Sequence, residues 1–556
     1  MIDAVCLAEG QAEYIDSALE GGFIGLLLGT LILAVLIAVV VAPFVLRRYD
    51  TQVRRLMRLR QRAALPDAWV AKQSSAFSSS LGSEGFDSTL DHSTLAGLES
   101  ASRSRLSMVR RATWIAYGVF VVISAVLAPT LGTALATPDM VGYFLAVCFV
   151  GAVPAFVNVR PQGSKTLVLL GSVVLGIVLS VLEAAGAPAG TEADLVEAIG
   201  PPLLLAALYF TIAHRKLRAV VVPLTLLLTV VLLGILAAFW SLVFISCMRQ
   251  PDALALSLAS TILAVATMVV GASVYGGRKA IDVVARWQER GFVSDISISA
   301  GMGLTFIALL FAVGLGLDSD FAMWQTGLAG ASWAGLACTA YAVAVRRGTI
   351  RSPARSLLVL RVFSRSKAAE RLLDAVQTDW RYVGPVNQIA GPDLVRLNVD
   401  LYEFGKFVNA KVHELFLFGA VTREQLLARL VRHPDREGRF RVNEVFCLET
   451  AWRGTVEQMM EMSDAILLDV RGFGPERRGT AFELELLVRR GFIRRVVAIG
   501  DQTTSWGYFD ERIRNAGGNA EVVVREHITG PKDSSVRFVR ALMRVAAGEA
   551  ASGKQG

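Results

Sequence analysis

The chain changes character at about Val345. Up to that point it is a series of long apolar runs, and from Arg346 onward short apolar stretches alternate with helix-patterned ones. Two unlike parts are required by such a sequence. Runs of about 20 apolar residues suit a hydrocarbon surrounding, whereas alternating strand and helix patterns close a core that faces water. The fold class expected is a polytopic α-helical membrane bundle of about nine spans, followed by a cytosolic α/β domain with a mainly parallel, doubly wound sheet. The expected boundaries are an external segment 1–21, a first transmembrane span 22–46, a basic and Ser-rich cytoplasmic loop 47–112, and eight further spans within 113–345. A linker 346–355, the α/β domain 356–547 and a disordered tail 548–556 complete the chain.

Composition enters here as a constraint on class. Hydrophobic residues make up 53% of the chain and the mean hydropathy is +0.50, beyond what an ordinary water-soluble domain carries. The nine runs are 22–46, 113–133, 141–159, 166–186, 199–213, 219–246, 254–276, 296–316 and 322–345. The formal charge of +8 does not imply nucleic acid, because the basic residues bunch at the ends of these runs. Arg47, Arg48, Arg54 and Arg55 follow the first run, Arg215, Lys216 and Arg218 the fifth, Arg278 and Lys279 the seventh, and Arg346 and Arg347 the ninth. With nine spans every cluster falls on one side, which predicts an inner-membrane, multi-pass protein with its amino terminus outside and its α/β domain in the cytoplasm.

No Asp, Glu, Lys or Arg lies at the centre of any run, so an ion-translocating relay is not expected. A transporter with a regulatory cytosolic domain stays as a third reading, carried by Pro154, Pro201 and Pro223 within the runs. Small residues such as Gly271, Gly327, Gly330 and Gly335 suit close helix packing and homo-oligomerisation through the bundle. The stretch Ser74–Ser107 reads as a flexible linker. Five widely spaced cysteines (Cys6, Cys148, Cys247, Cys338, Cys447) show no metal-ligand spacing, so no metal is expected. Cys6 and Cys247 would both face outward and could pair.

After Pro353, candidate strands are Ser356–Phe363, Val386–Ala390, Glu444–Leu448, Ala465–Val470, Val496–Ile499 and Glu521–Val524. Helical patterns lie at Lys367–Trp380, Tyr402–Leu417, Arg423–Val431, Thr455–Met462, Thr480–Arg490, Phe509–Asn515 and Ser535–Ala547. Near-continuous apolar strands separated by helices imply a parallel sheet covered on both faces, and ligands then bind beyond the carboxyl ends of the strands. The residues there are polar: Ser364 and Arg365, then Gly391-Pro392-Asp393, Thr450 with Trp452 and Arg453, Asp469 to Gly472, and Asp501 to Thr504.

Nucleotide motifs fail one by one. Gly474-Pro475-Glu476-Arg477-Arg478-Gly479-Thr480 has the glycine spacing of a phosphate-binding loop but no Lys after the second glycine. Gly472-x-Gly474 lacks the third glycine of a dinucleotide fingerprint, His413-Glu414 has no second His at helical spacing, and no G-x-S-x-G occurs. No cofactor is expected.

The most specific stretch runs Ser463-Asp464-Ala465-Ile466-Leu467-Leu468-Asp469-Val470-Arg471-Gly472-Phe473, then Gly479-Thr480-Ala481-Phe482-Glu483-Leu484. It reads as a strand, a polar loop, and a helix with a carboxylate in its first turn. This segment resembles the corresponding region of the nucleoside deoxyribosyltransferase and Toll/interleukin-receptor-like superfamily. The resemblance covers roughly residues 355–545 in element order and six residues closely in motif. It implies that Glu483 occupies the position of the carboxylate acting at the anomeric carbon of an N-ribosyl bond. The loop position where that family carries an aspartate holds Glu476, Arg477 and Arg478 here.

Glu483 is thus the catalytic candidate. Ser364, Arg365, Asp393, Trp452, Asp469, Arg471 and Thr480 are the ligand-binding candidates. The leading expectation is a membrane-tethered sensor or signalling domain that binds a nucleotide-like small molecule or a partner. The alternative is an N-ribosyl hydrolase or transferase acting on NAD or nucleosides. A lipid bilayer is the other expected partner.

Overall fold

The computed structural model describes residues 40–57, 94–130, 255–292, 323–347, 354–361, 379–390, 401–417, 421–527 and 535–549, with isolated positions or short stretches at 33–38, 220–235, 294, 297 and 376. The chain divides into two compact units. One comprises residues 1–47, 109–347 and 399–409, and the other residues 48–108, 348–398 and 410–556.

The second unit is built on a seven-stranded, wholly parallel sheet: β1 Leu357–Arg361, β2 Val386–Ile389, β3 Phe416–Leu417, β4 Val442–Cys447, β5 Ala465–Asp469, β6 Val496–Gly500 and β7 Val524–His527. The spatial order is β3-β4-β2-β1-β5-β6-β7. The sheet has one strand more than the six expected, because the two-residue β3 is too short to leave a periodicity. The last strand also lies three residues later than expected, since 520–522 form a turn of 3-10 helix.

The strands alternate their side chains between two apolar layers. Leu358, Leu360, Ile466, Leu468, Val496 and Ala498 pack under helices from one side. Those helices are α6 (Arg423–Arg429), α7 (Glu449–Glu461), α8 (Arg478–Arg489) and α9 (Trp506–Asn515). Leu357, Val359, Ala465, Leu467, Val497 and Ile499 pack on the other side with Val376, Trp380 and α10 (Ser535–Ala546), which contributes Phe538, Val539 and Leu542. All five residues of β5 and of β6 are buried, the burial expected of central parallel strands.

Two polar devices set the layers in register. At the start of β1, Asp464 accepts the backbone N–H of Ser356 at 2.7 Å and pairs with Arg355. Across the middle strands Asn443 donates to Asn387 at 2.8 Å, and Asn387 donates to the Ser356 hydroxyl at 2.8 Å. Buried amides satisfied in this way cost little, whereas a slipped register would leave them unpaired. Gly384 is required by sterics, because a Cβ there would sit 1.9 Å from the backbone oxygen of Arg355.

Helix α2 (Leu95–Thr130) begins inside this unit. The flexible linker expected up to Ser107 therefore gives way at Leu95 to helix. Its Leu98 joins Trp380, Phe538 and Leu542 in the core, and Arg105 is 1% exposed.

The first unit holds part of α1 (40–57), the later half of α2, α3 (Ala255–Glu289), α4 (Met323–Arg347) and α5 (Leu401–Val408). Ala112 and Ala116 of α2 pack against Tyr341 and Val345 of α4. Asn409, just after α5, donates to Asp282 of α3 at 2.9 Å.

The nine-span expectation is corrected here. Among the described residues no helix is long and apolar enough to cross a membrane. None of the three long helices is apolar throughout: Arg103, Arg105, Arg110 and Arg111 lie in the first half of α2, Arg278, Lys279 and Arg286 in the last third of α3, and α4 is built largely from Gly, Ala, Ser and Thr, which add less hydropathy than Leu or Ile. The expectations of a multi-pass protein of the cell membrane fall with it. The predicted runs 141–159, 166–186, 199–213 and, but for Ser297, 296–316 lie outside the described residues, as do Cys6, Cys148 and Cys247.

Candidate functional site

In chain order the crossovers leave β1 towards β2, then the β4–β5 connection returns to the other flank of β1. The order of winding therefore reverses between β1 and β5, which remain parallel, and such sheets bind ligands beyond the carboxyl ends of the strands at that switch point. Arg361 and Asp469 are in register at that end.

Asp469 and Arg471 hold one another there. The Arg471 guanidinium donates through Nε to one Asp469 oxygen at 2.8 Å and through Nη2 to the other at 2.6 Å. Their side chains are 4% and 10% exposed, which makes this a buried, two-pronged pair. The pairing raises the Arg471 pKa against the lowering effect of burial, with Asp501 adding to the rise. Both are ligand-binding candidates, and the structure pairs them with one another, with Asp469 also accepting the Arg471 backbone N–H at 3.3 Å. Gly472 follows at φ +69°, a left-handed conformation that a side chain would strain. The turn closes with the Phe473 amide donating to the carbonyl of Val470 at 3.0 Å.

The neighbouring loop after β6 is equally built. Asp501 accepts from the amide and hydroxyl of Thr503 at 2.9 and 2.5 Å, and Thr504 donates to the Val470 carbonyl at 3.0 Å. The β5 and β6 loops are thereby joined.

Helix α8 starts at Arg478, so Glu483 is its sixth residue and stands in the second turn, not the first. Interaction with the helix dipole fades beyond the first turn and explains little of its placement. Glu483 is 5% exposed, one carboxyl oxygen (Oε2) has no hydrogen-bond partner, and burial pushes its pKa from 4.5 up to about 8. Near neutral pH it is a neutral carboxylic acid, able to donate and accept. Side chains on a helix lean towards its amino terminus, which here follows the end of β5. An unsatisfied buried carboxyl oxygen costs on the order of 1–3 kcal/mol.

Beside it, Phe482 lies 5.5 Å from the Trp452 ring, and the Arg453 guanidinium sits 5.0 Å over Phe482. Trp452 is thus half-buried by Phe482 and has that face occupied. The signal for this contact was in the sequence, where Trp452-Arg453 opens α7 and Phe482 adjoins Glu483, but only packing pairs them. Thr480 is buried in the first turn of α8. Arg477 and Arg478 are exposed at the same end and carry no ion pair among the described residues. Glu485 is half-buried and pairs with Arg512 and, at 3.5 Å, with Arg489. Ser364, Arg365 and Asp393 lie outside the described residues. No group of His, Cys, Asp or Glu suited to a metal ion occurs among the described residues.

Comparison with protein-family models, with curated proteins and with solved structures gave no match to this chain.

Proposed function

We propose that the α/β unit is a ligand-binding module for a nucleotide-like small molecule, with Glu483 as the group that recognises it. The observation that carries this reading is the buried Oε2 of Glu483, left without a partner. A neutral carboxyl in that position suits a hydroxyl or ring-nitrogen group, to which it can both donate and accept. Arg477 and Arg478 support an anionic portion. Two unpaired arginines at the positive end of α8 are disfavoured by about 0.3–1 kcal/mol each, and an anion bound there would offset that.

The N-ribosyl reading suggested by the resemblance takes a particular form. A carboxyl held protonated near pH 7 fits a general acid better than a nucleophile, which must be ionised. The test is calorimetric titration of the chain with nucleosides, nucleotides and NAD, followed by product analysis with each binder. Binding without turnover supports the module, turnover supports the enzyme, and no binding by any of them sinks both.

A further inference from the structure

Thirteen large hydrophobic residues are substantially exposed, and all of them belong to the first unit: Leu33, Val40, Phe44, Trp114, Ile115, Val122, Ile235, Met268, Tyr275, Trp287, Phe292, Leu336 and Val343. The α/β unit exposes none among its described residues. Exposure of Met268 reaches 69%, Val40 65% and Val122 61%. Apolar surface gathered in one unit and missing from the other marks a binding surface rather than scatter.

Eight of the thirteen fall into four stripes, and every stripe has a cation at one end. On α2 the exposed positions Arg111, Ile115, Gly118 and Val122 follow one face at helical spacing. On α3 the exposed series is Met268, Ala272, Tyr275 and Lys279, and the Lys279 ammonium lies 5.6 Å over the Tyr275 ring. On α4 it is Leu336, Thr339, Val343 and Arg346, and on α1 it is Val40, Phe44 and Arg47. An amphipathic helix in water shows the reverse, with its apolar stripe inward and its polar face out. The Ala112, Ala116, Tyr341 and Val345 cluster already occupies the inward faces of α2 and α4, so the outward stripes need a different partner.

We infer that these stripes bind the acyl chains of an anionic lipid leaflet, with the terminal Arg or Lys at the phosphate headgroups. Charge selects this occupant. Each of the four stripes ends in a cation and none in a carboxylate, so the partner is apolar along its depth and anionic at its edge. A stripe of eleven residues is about 16 Å long at 1.5 Å per residue. That is close to half the ~30 Å hydrocarbon thickness of a bilayer, the depth of one leaflet. Trp114 and Tyr275 lie one turn from Arg110 and Lys279, at the level where amphipathic aromatic rings meet headgroups. The contact needs no helix to cross the bilayer, and it is independent of the ligand proposed for the α/β unit.

The test uses the full chain with mixed phosphatidylcholine–phosphatidylglycerol vesicles. A bimane label is placed in turn at Val122→Cys, Met268→Cys, Leu336→Cys and Arg489→Cys, in a chain whose native cysteines are serine. Lipids brominated on the acyl chain should quench the first three labels at least about twofold and leave the label on α8 unchanged. At equal mole fraction, brominated phosphatidylglycerol should quench at least about twofold more than brominated phosphatidylcholine, because cations at the surface gather anionic lipid around them. Labels shielded from aqueous iodide yet unquenched by brominated lipid would overturn the inference in favour of a second copy of the chain. Labels open to iodide would overturn it outright, as would equal quenching by the two lipids. Should the cysteine-free chain fail to fold, the tryptophans of the unmodified chain, Trp114 and Trp287 among them, supply the same readout, and absence of quenching would again refute it.

Discussion

Arg105 donates through Nη1 to the backbone carbonyl of Tyr382 at 2.6 Å, across 277 residues of sequence. Its guanidinium also lies 5.2 Å over the Phe440 ring. Nearby, Glu99 accepts from Arg540 at 2.9 Å, and the Leu95 amide donates to Glu549 at 3.0 Å. The opening of α2 is therefore a strap sewn into the sheet unit at several points.

Arg105→Ala should destabilise that unit by about 2–4 kcal/mol, since it leaves a buried carbonyl unsatisfied and removes packing. Arg105→Lys should recover only part of this, lacking the planar fork. A fragment of residues 348–556 should be less stable than the same fragment with residues 94–108 joined through a linker. Equal denaturant midpoints for the two fragments would show that the strap contributes nothing.

Glu483 gives the unit a pH signature. Its folded pKa of about 8 lies above the ordinary 4.5, so between these values the folded state binds more protons than the unfolded one. Stability should then fall as pH rises from about 5 to 8, by at most about 1.4 kcal/mol per pH unit from this group. Asp435, pushed up by burial and by Glu437, acts with the same sign. The difference between wild type and Glu483→Gln isolates Glu483, and it should grow in favour of the variant with pH. A constant difference across that range, measured by urea titration, would contradict the burial argument.

The Asp469–Arg471 pair should behave as one unit. Removing either partner leaves the other buried and charged, which costs about 3–5 kcal/mol. Asp469→Leu with Arg471→Met should cost much less than the sum of the two single changes. Additive losses in a double-mutant cycle would mean that the pair is not coupled.

Substitutions at Glu483 separate binding from catalysis. Glu483→Gln keeps a donor and an acceptor, so affinity for a neutral group should change only a few-fold, while Glu483→Leu should weaken it at least about tenfold. If the site cleaves N-ribosyl bonds, Glu483→Gln should instead cut turnover by about a hundredfold or more, because proton transfer is lost. Glu485→Gln is unsuitable as a silent comparison, since Glu485 pairs with Arg512 and Arg489. Glu476→Gln, exposed in the loop before α8, serves better. Equal turnover in wild type and Glu483→Gln would remove Glu483 from the chemistry.

Much of the α/β unit is written in local pattern. The runs around Leu357–Arg361, Ala465–Asp469 and Val496–Gly500 are apolar at successive positions, and that alone implies burial on both faces of a parallel sheet. The polar residues after the strands and the position of Glu483 on a helix could likewise be read in advance. The two-residue β3, the recruitment of Leu98 and Arg105, and the mutual pairing of Asp469 and Arg471 could not.

The division has one physical cause. Strand and helix periodicity, and the break in composition near Val345, arise from neighbours within a few residues, and the sequence by itself determined them. What each polar or apolar residue faces depends on segments hundreds of residues away, so only the tertiary structure decided it. Leu98 and Arg105 read as parts of a linker until Trp380, Phe538 and Tyr382, far along the chain, closed on them. The apolar runs read as spans in the sequence, and only the folded helices show which of their apolar residues are turned outward. Glu483 became a neutral acid only because the sheet and the helices around it exclude water.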